Sequence, residues 1–175
     1  MPTYQELLAR IAKAFDHHRI PYMVIGGQAV IRYGRPRLTD DIDITLGVDV
    51  TSLPTVQQAA SEIPLHARVN DVQGMVTQTN VLPLIERSTG IKVDCIFSFT
   101  PYERQAIERG EEVAVGGTRV RYAALEDVIL HKLVANRPVD VEDVVAIIMR
   151  SGDRIDRAYL QSWLRQFSSV VDRDL

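Results

Sequence analysis

An apolar segment that carries carboxylates at alternate positions constrains this chain more than any other feature. The segment TDDIDITL, Thr39 to Leu46, alternates and is rich in Ile and Thr, which predicts a β-strand. Residues two apart on a strand point to the same side, so Asp41 and Asp43 share one face while Ile42 and Ile44 share the other. Two adjacent carboxylates repel each other, at about 1 kcal/mol or more when partly desolvated. A solvated acidic strand face and a cation site are the two explanations of this pattern.

Three further features favour the cation site. Gly26-Gly27 follows an apolar run and precedes a short helix, where backbone N–H groups can face phosphate, although an ordinary tight turn has the same pattern. Asp94 lies inside IKVDCIF, a second apolar strand in which an unpaired acid would be unfavourable. Arg35 and Arg37 precede the acidic pair and would neutralise either phosphates or the aspartates. Mg²⁺ prefers a few carboxylates together with phosphate oxygens and water, which suits an open site on one sheet face.

The composition excludes several classes of protein. The 175 residues are 46% hydrophobic, which fits one globular domain. A net charge of −3 gives no global attraction to nucleic acid, although a local basic patch remains compatible with it. The single cysteine, Cys95, excludes an internal disulfide and a Cys-rich metal site, and it fits a reducing cytoplasm. Polar residues run through the N-terminus, so we expect no signal peptide, and no apolar run approaches the roughly 18 residues of a membrane helix.

Hydrophobic periodicity predicts an α+β fold, in which one mixed sheet flanked by helices precedes a C-terminal helical cluster. We expect residues 1–123 to form the sheet and its N-terminal helix, and residues 124–175 to form a helical cluster packed on it as one compact unit. The predicted strands are Pro21–Ile25, Thr39–Leu46, Gly74–Leu82 and Ile91–Phe97, with a hairpin that turns at Gly116-Gly117. The predicted helices are Thr3–His18, a short one from Gly26-Gly27 to Gly34, Leu53–Ile63, Thr100–Gly110, Ala124–Asn136, Val139–Arg150 and Asp156–Ser168.

A lysine on the Ala124–Asn136 helix is placed unusually. Lys132 follows Val128 by four residues, so it falls within the apolar stripe of the helix. A lysine there is explained either by snorkelling at the edge of the core or by contact with a ligand. Asp140 and Asp143 share one side of the next helix, where acids complement the helix dipole or form ion pairs with Lys132 or Arg137. Arg137 and Asp143 are therefore candidates for a supporting role beside the site.

These motifs resemble a known family. The chain is similar to the DNA-polymerase-beta-like nucleotidyltransferases in three motifs: GG, then RLTDDID, then VDCIF on a later strand. The resemblance spans Tyr22 to Met149. The run ALEDVILHKLVANRPVDVEDVVAI resembles the small bacterial branch, which includes abortive-infection toxins. The resemblance implies a polymerase-beta palm-like mixed sheet, in which Gly26 and Gly27 cradle phosphate and Arg37 and Lys132 contact the nucleotide. It implies that Asp41, Asp43 and Asp94 are catalytic and bind the metal, with Asp94 orienting or deprotonating the attacking hydroxyl.

The resemblance also implies an activity. It predicts transfer of NMP from an NTP to an acceptor hydroxyl, with two Mg²⁺ ions as cofactors and Mn²⁺ as a substitute. The acceptor stays open: it is RNA or a protein in a toxin–antitoxin setting, where a cognate antitoxin would be a partner, or it is a lincosamide or aminoglycoside-like antibiotic. A non-catalytic nucleotide-binding module is the third alternative, and the complete set of three aspartates argues against it.

Overall fold

The strand that carries the alternating carboxylates lies inside a seven-stranded sheet. The computed structural model describes residues 2–36, 38–98 and 100–171. The helices are α1 (Tyr4–His17), α2 (Gly26–Tyr33), α3 (Leu53–Ser61), α4 (Val72–Thr79), α5 (Pro101–Arg109), α6 (Leu125–Ala135), α7 (Pro138–Ser151) and α8 (Arg157–Val171). The strands are β1 (Tyr22–Ile25), β2 (Asp41–Leu46), β3 (Leu65–Ala67), β4 (Val81–Glu86), β5 (Ile91–Phe97), β6 (Glu111–Val115) and β7 (Thr118–Tyr122).

The strand order of the sheet is β3-β4-β5-β2-β1-β7-β6. Strand β2 runs parallel to β5, and β1 runs parallel to β7, while the other neighbours pair antiparallel. The sheet is therefore mixed, and together with the helices it confirms the predicted α+β class. On β2, Ile42 and Ile44 are fully buried whereas Asp41 and Asp43 are partly exposed, so the two faces of the strand have the environments that the alternation predicted.

Local capping explains why α1 and α5 begin at the predicted residues. At α1, the backbone N–H of Glu6 donates to Thr3 Oγ1 at 3.2 Å, and the backbone N–H of Thr3 donates to Glu6 Oε2 at 2.8 Å. At α5, the backbone N–H of Thr100 donates to Glu103 Oε2 at 3.0 Å, and Pro101 occupies the first position. Each pair satisfies N–H groups that have no partner within the helix, and this stabilises the predicted start.

The prediction of a strand over Gly74–Leu82 is wrong. Residues Val72–Thr79 form helix α4, which Asp71 caps by accepting a hydrogen bond from the backbone N–H of Gly74 at 2.9 Å. The helix ends at Asn80, whose φ of +56° is left-handed, and only then does β4 begin at Val81. The Val and Thr residues of this segment favoured a strand, but the Asx cap at its start favours a helical turn. The short strand β3, at the edge of the sheet, was not predicted at all.

The described residues after β7 are mainly helical, as predicted, and the hairpin between β6 and β7 turns at Gly116-Gly117. Helix α6 packs against α2, α7 and α8, and this contact brings the C-terminal helices beside the strands that carry the aspartates. The rings of Trp163 and Phe167 on α8 each lie 4.9 Å from the ring of Tyr102 on α5, so α8 is held by aromatic contacts. None of the helices described is both long and apolar enough to cross a membrane.

Candidate active site

Two strand registers bring the sequence-distant motifs together. Asp43 on β2 pairs with Asp94 on the parallel neighbour β5 and with Ile25 on the antiparallel neighbour β1. Residues paired in register present their side chains on the same face of a sheet, so the carboxylates of Asp43 and Asp94 stand side by side. Because Ile25 is the last residue of β1, helix α2 begins beside Asp43. The sheet thus places the Gly-Gly motif and the acidic motif at one point.

The start of α2 depends on a glycine. Gly26 has a φ of +63°, and a Cβ built on it would lie 2.0 Å from Asp43 Oδ2. Glycine is therefore required both by its backbone conformation and by the closeness of the carboxylate. The N-terminus of α2 has no side-chain cap. Its first N–H groups are consequently of the kind that can bind an anion at a helix N-terminus.

These residues line one cleft with a volume of about 440 Å³. Its walls come from β1, the start of α2, β2, β5, α6 and the start of α7. It is lined by Ile25, Gly26, Gly27, Asp41, Asp43, Asp94, Ile96, Val128, His131, Lys132, Ala135, Arg137, Val139 and Asp140. The predicted catalytic and nucleotide-binding residues Gly26, Gly27, Asp41, Asp43, Asp94 and Lys132 all line it, as does Arg137, whereas Asp143 does not. Arg37 lies outside the described residues. Arg35 points elsewhere, because its guanidinium contacts Glu142 Oε2 at 2.8 Å on the exposed side of α7.

The electrostatics of the cleft centre on Asp43. Burial, followed by the charges of Asp41 and Asp94, raises the pKa of Asp43 from 3.8 to about 6, although Lys132 and Arg137 act to lower it. The three carboxylates therefore repel one another, and the cations of the cleft compensate only part of that repulsion. The donor atoms are all carboxylate oxygens, which hard divalent cations such as Mg²⁺ prefer. A cation bound between them would also relieve the repulsion that raises the pKa of Asp43.

The other two aspartates have partners of their own. Thr39 Oγ1 donates a hydrogen bond to Asp41 Oδ1 at 2.9 Å, and the guanidinium of Arg68 contacts Asp94 Oδ1. Among the described residues, only His17, His18 and Glu62 form a group of three or more His, Cys or acidic residues whose ligand atoms all lie within 4.8 Å of one another. The carboxylates of Asp41, Asp43 and Asp94 are thus neighbours that would have to turn toward a shared ion.

Arg68 is a site residue that the sequence analysis missed. It immediately follows the edge strand β3, and its backbone N–H donates to the carbonyl of Pro83 on β4 at 2.9 Å. That contact holds the residue near β5, from where its side chain reaches Asp94. No periodicity or motif marks Arg68 in the sequence, because its relation to Asp94 depends on the pairing of β3, β4 and β5.

Lys132 is held by two buried acids. Its Nζ lies 2.7 Å from Asp140 Oδ1 and 3.0 Å from Asp143 Oδ2, and all three side chains are almost completely buried. Arg137 also contacts Asp140, with Nε 2.6 Å from Oδ2. Although burial acts to raise the pKa of Asp140, the hydrogen bonds from Arg137 and Lys132 lower it to about 2. Of the two explanations for these acids, the structure therefore has the ion pairs: Asp140 and Asp143 pair with Lys132, and Asp140 also pairs with Arg137.

His131 is a second residue of the cleft that the sequence analysis did not identify. It lines the cleft, and its buried Nε2 has no hydrogen-bond partner in the part of the chain that the structure describes. Burial, with a smaller effect from Lys132, lowers the pKa of His131 to about 4, so the ring is neutral at pH 7. His131 lies on α6, which packs against α2, and its position in the cleft wall therefore depends on tertiary contacts.

Comparison with known proteins gives fold neighbours and no sequence match. No protein-family model matches the sequence, and no curated protein matches it. The solution structure of the antibiotic-resistance factor ANT(2'')-Ia is similar, with a TM-score of 0.64 at 15% identity over 96% of this chain and 95% of that chain. The lincomycin-bound lincosamide antibiotic adenylyltransferase LnuA is similar, with a TM-score of 0.57 at 19% identity over 83% and 96% of the two chains.

A third similar structure is an antigenic nucleotidyltransferase-like protein from Paracoccidioides brasiliensis, with a TM-score of 0.57 at 16% identity over 82% of this chain and 74% of that chain. Identities this low establish the fold and leave the activity of this chain to be argued from its own residues. The glycine pair and the spaced aspartates predicted the same architecture. The chain has the fold of the DNA-polymerase-beta-like nucleotidyltransferases.

Proposed function

We propose that this protein transfers a nucleoside monophosphate from an NTP to an acceptor hydroxyl and releases pyrophosphate. The observation that carries the proposal is that Asp41, Asp43 and Asp94 line the same cleft as the Gly26-Gly27 start of α2. A phosphate-binding helix start beside three acids is the arrangement that nucleotidyl transfer needs. A nucleotide-binding module without catalysis would need the helix start but not three clustered acids, whose mutual repulsion is unfavourable. The three aspartates therefore support an enzyme.

Asp41, Asp43 and Asp94 would hold Mg²⁺, with two ions expected and Mn²⁺ as a substitute. The raised pKa of Asp43 supports this assignment, because a divalent cation would relieve the repulsion that raises it. Bound metal would supply positive charge where the attacking and leaving oxygens become more negative.

The chain's own groups would divide the remaining tasks. The backbone N–H groups of Gly26 and Gly27 would bind oxygens of the triphosphate at the uncapped start of α2. In the transfer step, the acceptor oxygen would form a bond to the α-phosphorus as the bond to pyrophosphate breaks. Asp94 would orient the acceptor hydroxyl and accept its proton. Lys132 already acts on Asp43 through its charge and would add positive charge beside the nucleotide.

A small hydroxyl-bearing molecule is the first candidate acceptor. The likeness to ANT(2'')-Ia and LnuA extends over most of both chains, and LnuA is a lincosamide adenylyltransferase, which supports this class. The cations that line the cleft are also engaged with acids, as Lys132 and Arg137 contact Asp140. Among the described residues that line the cleft, these cations form no free basic strip of the kind that tracks an RNA backbone. RNA or a protein hydroxyl, in a cytoplasmic toxin–antitoxin setting, is the other candidate and rests on the resemblance of the sequence.

The test is a labelling experiment with each α-labelled NTP in the presence of Mg²⁺. One arm contains aminoglycosides and lincosamides, a second contains total cell RNA, and a third contains cell lysate proteins. Label in one arm identifies the acceptor class, and its loss on addition of EDTA shows that a metal is needed. Asp43→Asn should abolish labelling in every arm. No labelling by the wild-type protein in any arm, together with no binding of Mg²⁺–NTP, would overturn the proposal.

A neighbouring acid provides the matched control. Asp40 is exposed, precedes β2 directly and does not line the cleft. Asp40→Asn removes the same charge just before β2 and outside the cleft, so it should keep most of the labelling activity. Equal losses in Asp40→Asn and Asp43→Asn would indicate that overall acidity matters, and the assignment of Asp43 to the site would then be wrong.

A further inference from the structure

A second cluster of metal-ligating side chains lies away from the cleft, between α1 and α3. His17 is the last residue of α1, and His18 follows it as the helix cap. Glu62 directly follows the last residue of α3. Helices α1 and α3 pack against each other, and this contact brings their C-terminal ends together. Two consecutive histidines from one helix thereby face one carboxylate from the other.

The distances within this cluster are short. His17 Nδ1 lies 3.2 Å from Glu62 Oε2, and His18 Nε2 lies 2.6 Å from Glu62 Oε1. The ring centroids of the two histidines are 4.9 Å apart, and one ligand atom from each of the three residues falls within 4.8 Å of the other two. The side chain of His18 is 11% exposed, whereas that of His17 is 71% exposed, so the cluster is open to solvent on one side.

We propose that His17, His18 and Glu62 form a binding site for a divalent transition metal ion, with Zn²⁺ as the probe. Two imidazole nitrogens and one carboxylate are a known zinc donor set, and three protein ligands leave a coordination position for water. Zn–N and Zn–O bonds of about 2.0–2.2 Å place neighbouring ligand atoms of a tetrahedral site about 3.4 Å apart. The 3.2 Å contact of His17 with Oε2 is close to that spacing. The 2.6 Å contact of His18 is with the other oxygen, Oε1, so the His18 ring has to shift toward the shared ion.

The chemistry of the donors separates this cluster from the cleft. Imidazole nitrogens favour Zn²⁺, Ni²⁺ and Cu²⁺, whereas the all-carboxylate cleft favours Mg²⁺ and Mn²⁺. Arg10 and Lys13 line the hollow beside His17 and Glu62, and their positive charges oppose cation binding. A bound ion would join the ends of α1 and α3.

The experiment is isothermal titration calorimetry of the chelator-treated protein with ZnCl₂ and, separately, with MgCl₂. We expect a Zn²⁺ site with a micromolar dissociation constant that excess Mg²⁺ does not displace. Mg²⁺ occupies the cleft carboxylates, which also accept Zn²⁺ and are removed as a second site by Asp43→Asn. His18→Gln and Glu62→Gln should each weaken the Zn²⁺ affinity at least about tenfold. At a Zn²⁺ concentration tenfold above the dissociation constant, the melting temperature of the wild-type protein should rise by about 3 °C or more.

Two controls decide between outcomes. His66→Gln replaces an exposed histidine on β3 and should leave Zn²⁺ binding unchanged. Asp43→Asn should also keep it, which separates the new site from the cleft. If His18→Gln fails to fold, the exposed His17→Gln variant takes its place in the comparison. Absence of Zn²⁺ binding by the wild-type protein, or equal affinities in the wild type and the Glu62→Gln variant, would overturn the proposal.

Discussion

Gly26 and Asp43 meet across neighbouring strands with no room for a side chain between them. A Cβ on Gly26 would lie 2.0 Å from Asp43 Oδ2, and Ile25, the residue before Gly26, pairs with Asp43 in the β1–β2 register. The backbone proposed to bind phosphate therefore directly contacts a carboxylate proposed to bind metal. A change in either residue should disturb the other.

We expect Gly26→Ala to lower the free energy of unfolding by about 3 kcal/mol or more, because it combines a left-handed φ with a clash against Asp43. It should also abolish the thermal stabilisation by Mg²⁺–NTP. Gly90→Ala is the matched control, since Gly90 has a φ of +76° but no atom near its Cβ position. We expect that control to lose only about 1 kcal/mol. Chemical denaturation of both variants measures the difference, and equal losses would contradict the importance of the contact with Asp43.

Asp43→Asn should change how the metal-free stability depends on pH. The folded state raises the pKa of Asp43 from 3.8 to about 6, so it binds this proton more tightly than the unfolded chain does. The corresponding stability is fully present below pH 3.8 and is lost as the pH rises through about 6. The wild type should therefore lose up to about 2 kcal/mol relative to Asp43→Asn between about pH 4 and pH 7.

This difference is measured by urea unfolding of both proteins in EDTA across that pH range, with Asp40→Asn as the control of equal charge. Saturating Mg²⁺–NTP should then stabilise the wild type and not the Asp43→Asn variant. A stability difference that stays constant across the range would show that Asp43 is not held in a repulsive environment.

Lys132→Met should destabilise the protein, because it leaves the buried carboxylates of Asp140 and Asp143 without their shared partner. We expect a loss of about 3 kcal/mol in the free energy of unfolding. The double variant Lys132→Met/Asp143→Asn removes one of the two charges and should regain part of that stability. Nucleotide affinity separates the structural role from the ligand role. If the folded double variant binds Mg²⁺–NTP as tightly as the wild type, Lys132 does not contact the nucleotide.

Arg68→Gln should strengthen metal binding in the cleft, because the guanidinium occupies Asp94 Oδ1 and places a positive charge beside the acids. Removal of one charge a few ångströms from the ion should tighten Mn²⁺ binding roughly three- to tenfold. Electron paramagnetic resonance of free Mn²⁺ measures this affinity without any need for catalysis. Arg119→Gln is the control, since Arg119 is exposed on β7 and pairs with Glu112. Unchanged or weaker Mn²⁺ binding by Arg68→Gln would mean that Arg68 does not compete with metal for Asp94.

Local patterns were sufficient for much of the fold. The alternation of TDDIDITL identified β2 and the face that its acids occupy, and Thr3 and Thr100 marked two helix starts, because these signals depend only on residues a few positions apart. The segment Gly74–Leu82 shows the limit of such reasoning. Its Val and Thr residues favour a strand, yet Val72–Thr79 is helical and its start is capped by the hydrogen bond from the Gly74 N–H to Asp71.

The sequence by itself determined the chemistry of the candidate site: two acids on one strand face, a third acid inside another apolar strand, and a glycine pair before a helix. Only the tertiary structure decided which groups act on those acids. The β2–β5 register places Asp94 beside Asp43. The pairing of β3 with β4 brings Arg68 within contact of Asp94, and the packing of α6 against α2 places His131 in the cleft wall. Strand pairing and helix packing join residues that are far apart in the chain, and their free energy comes from burying whole faces, so no short stretch of sequence contains that information.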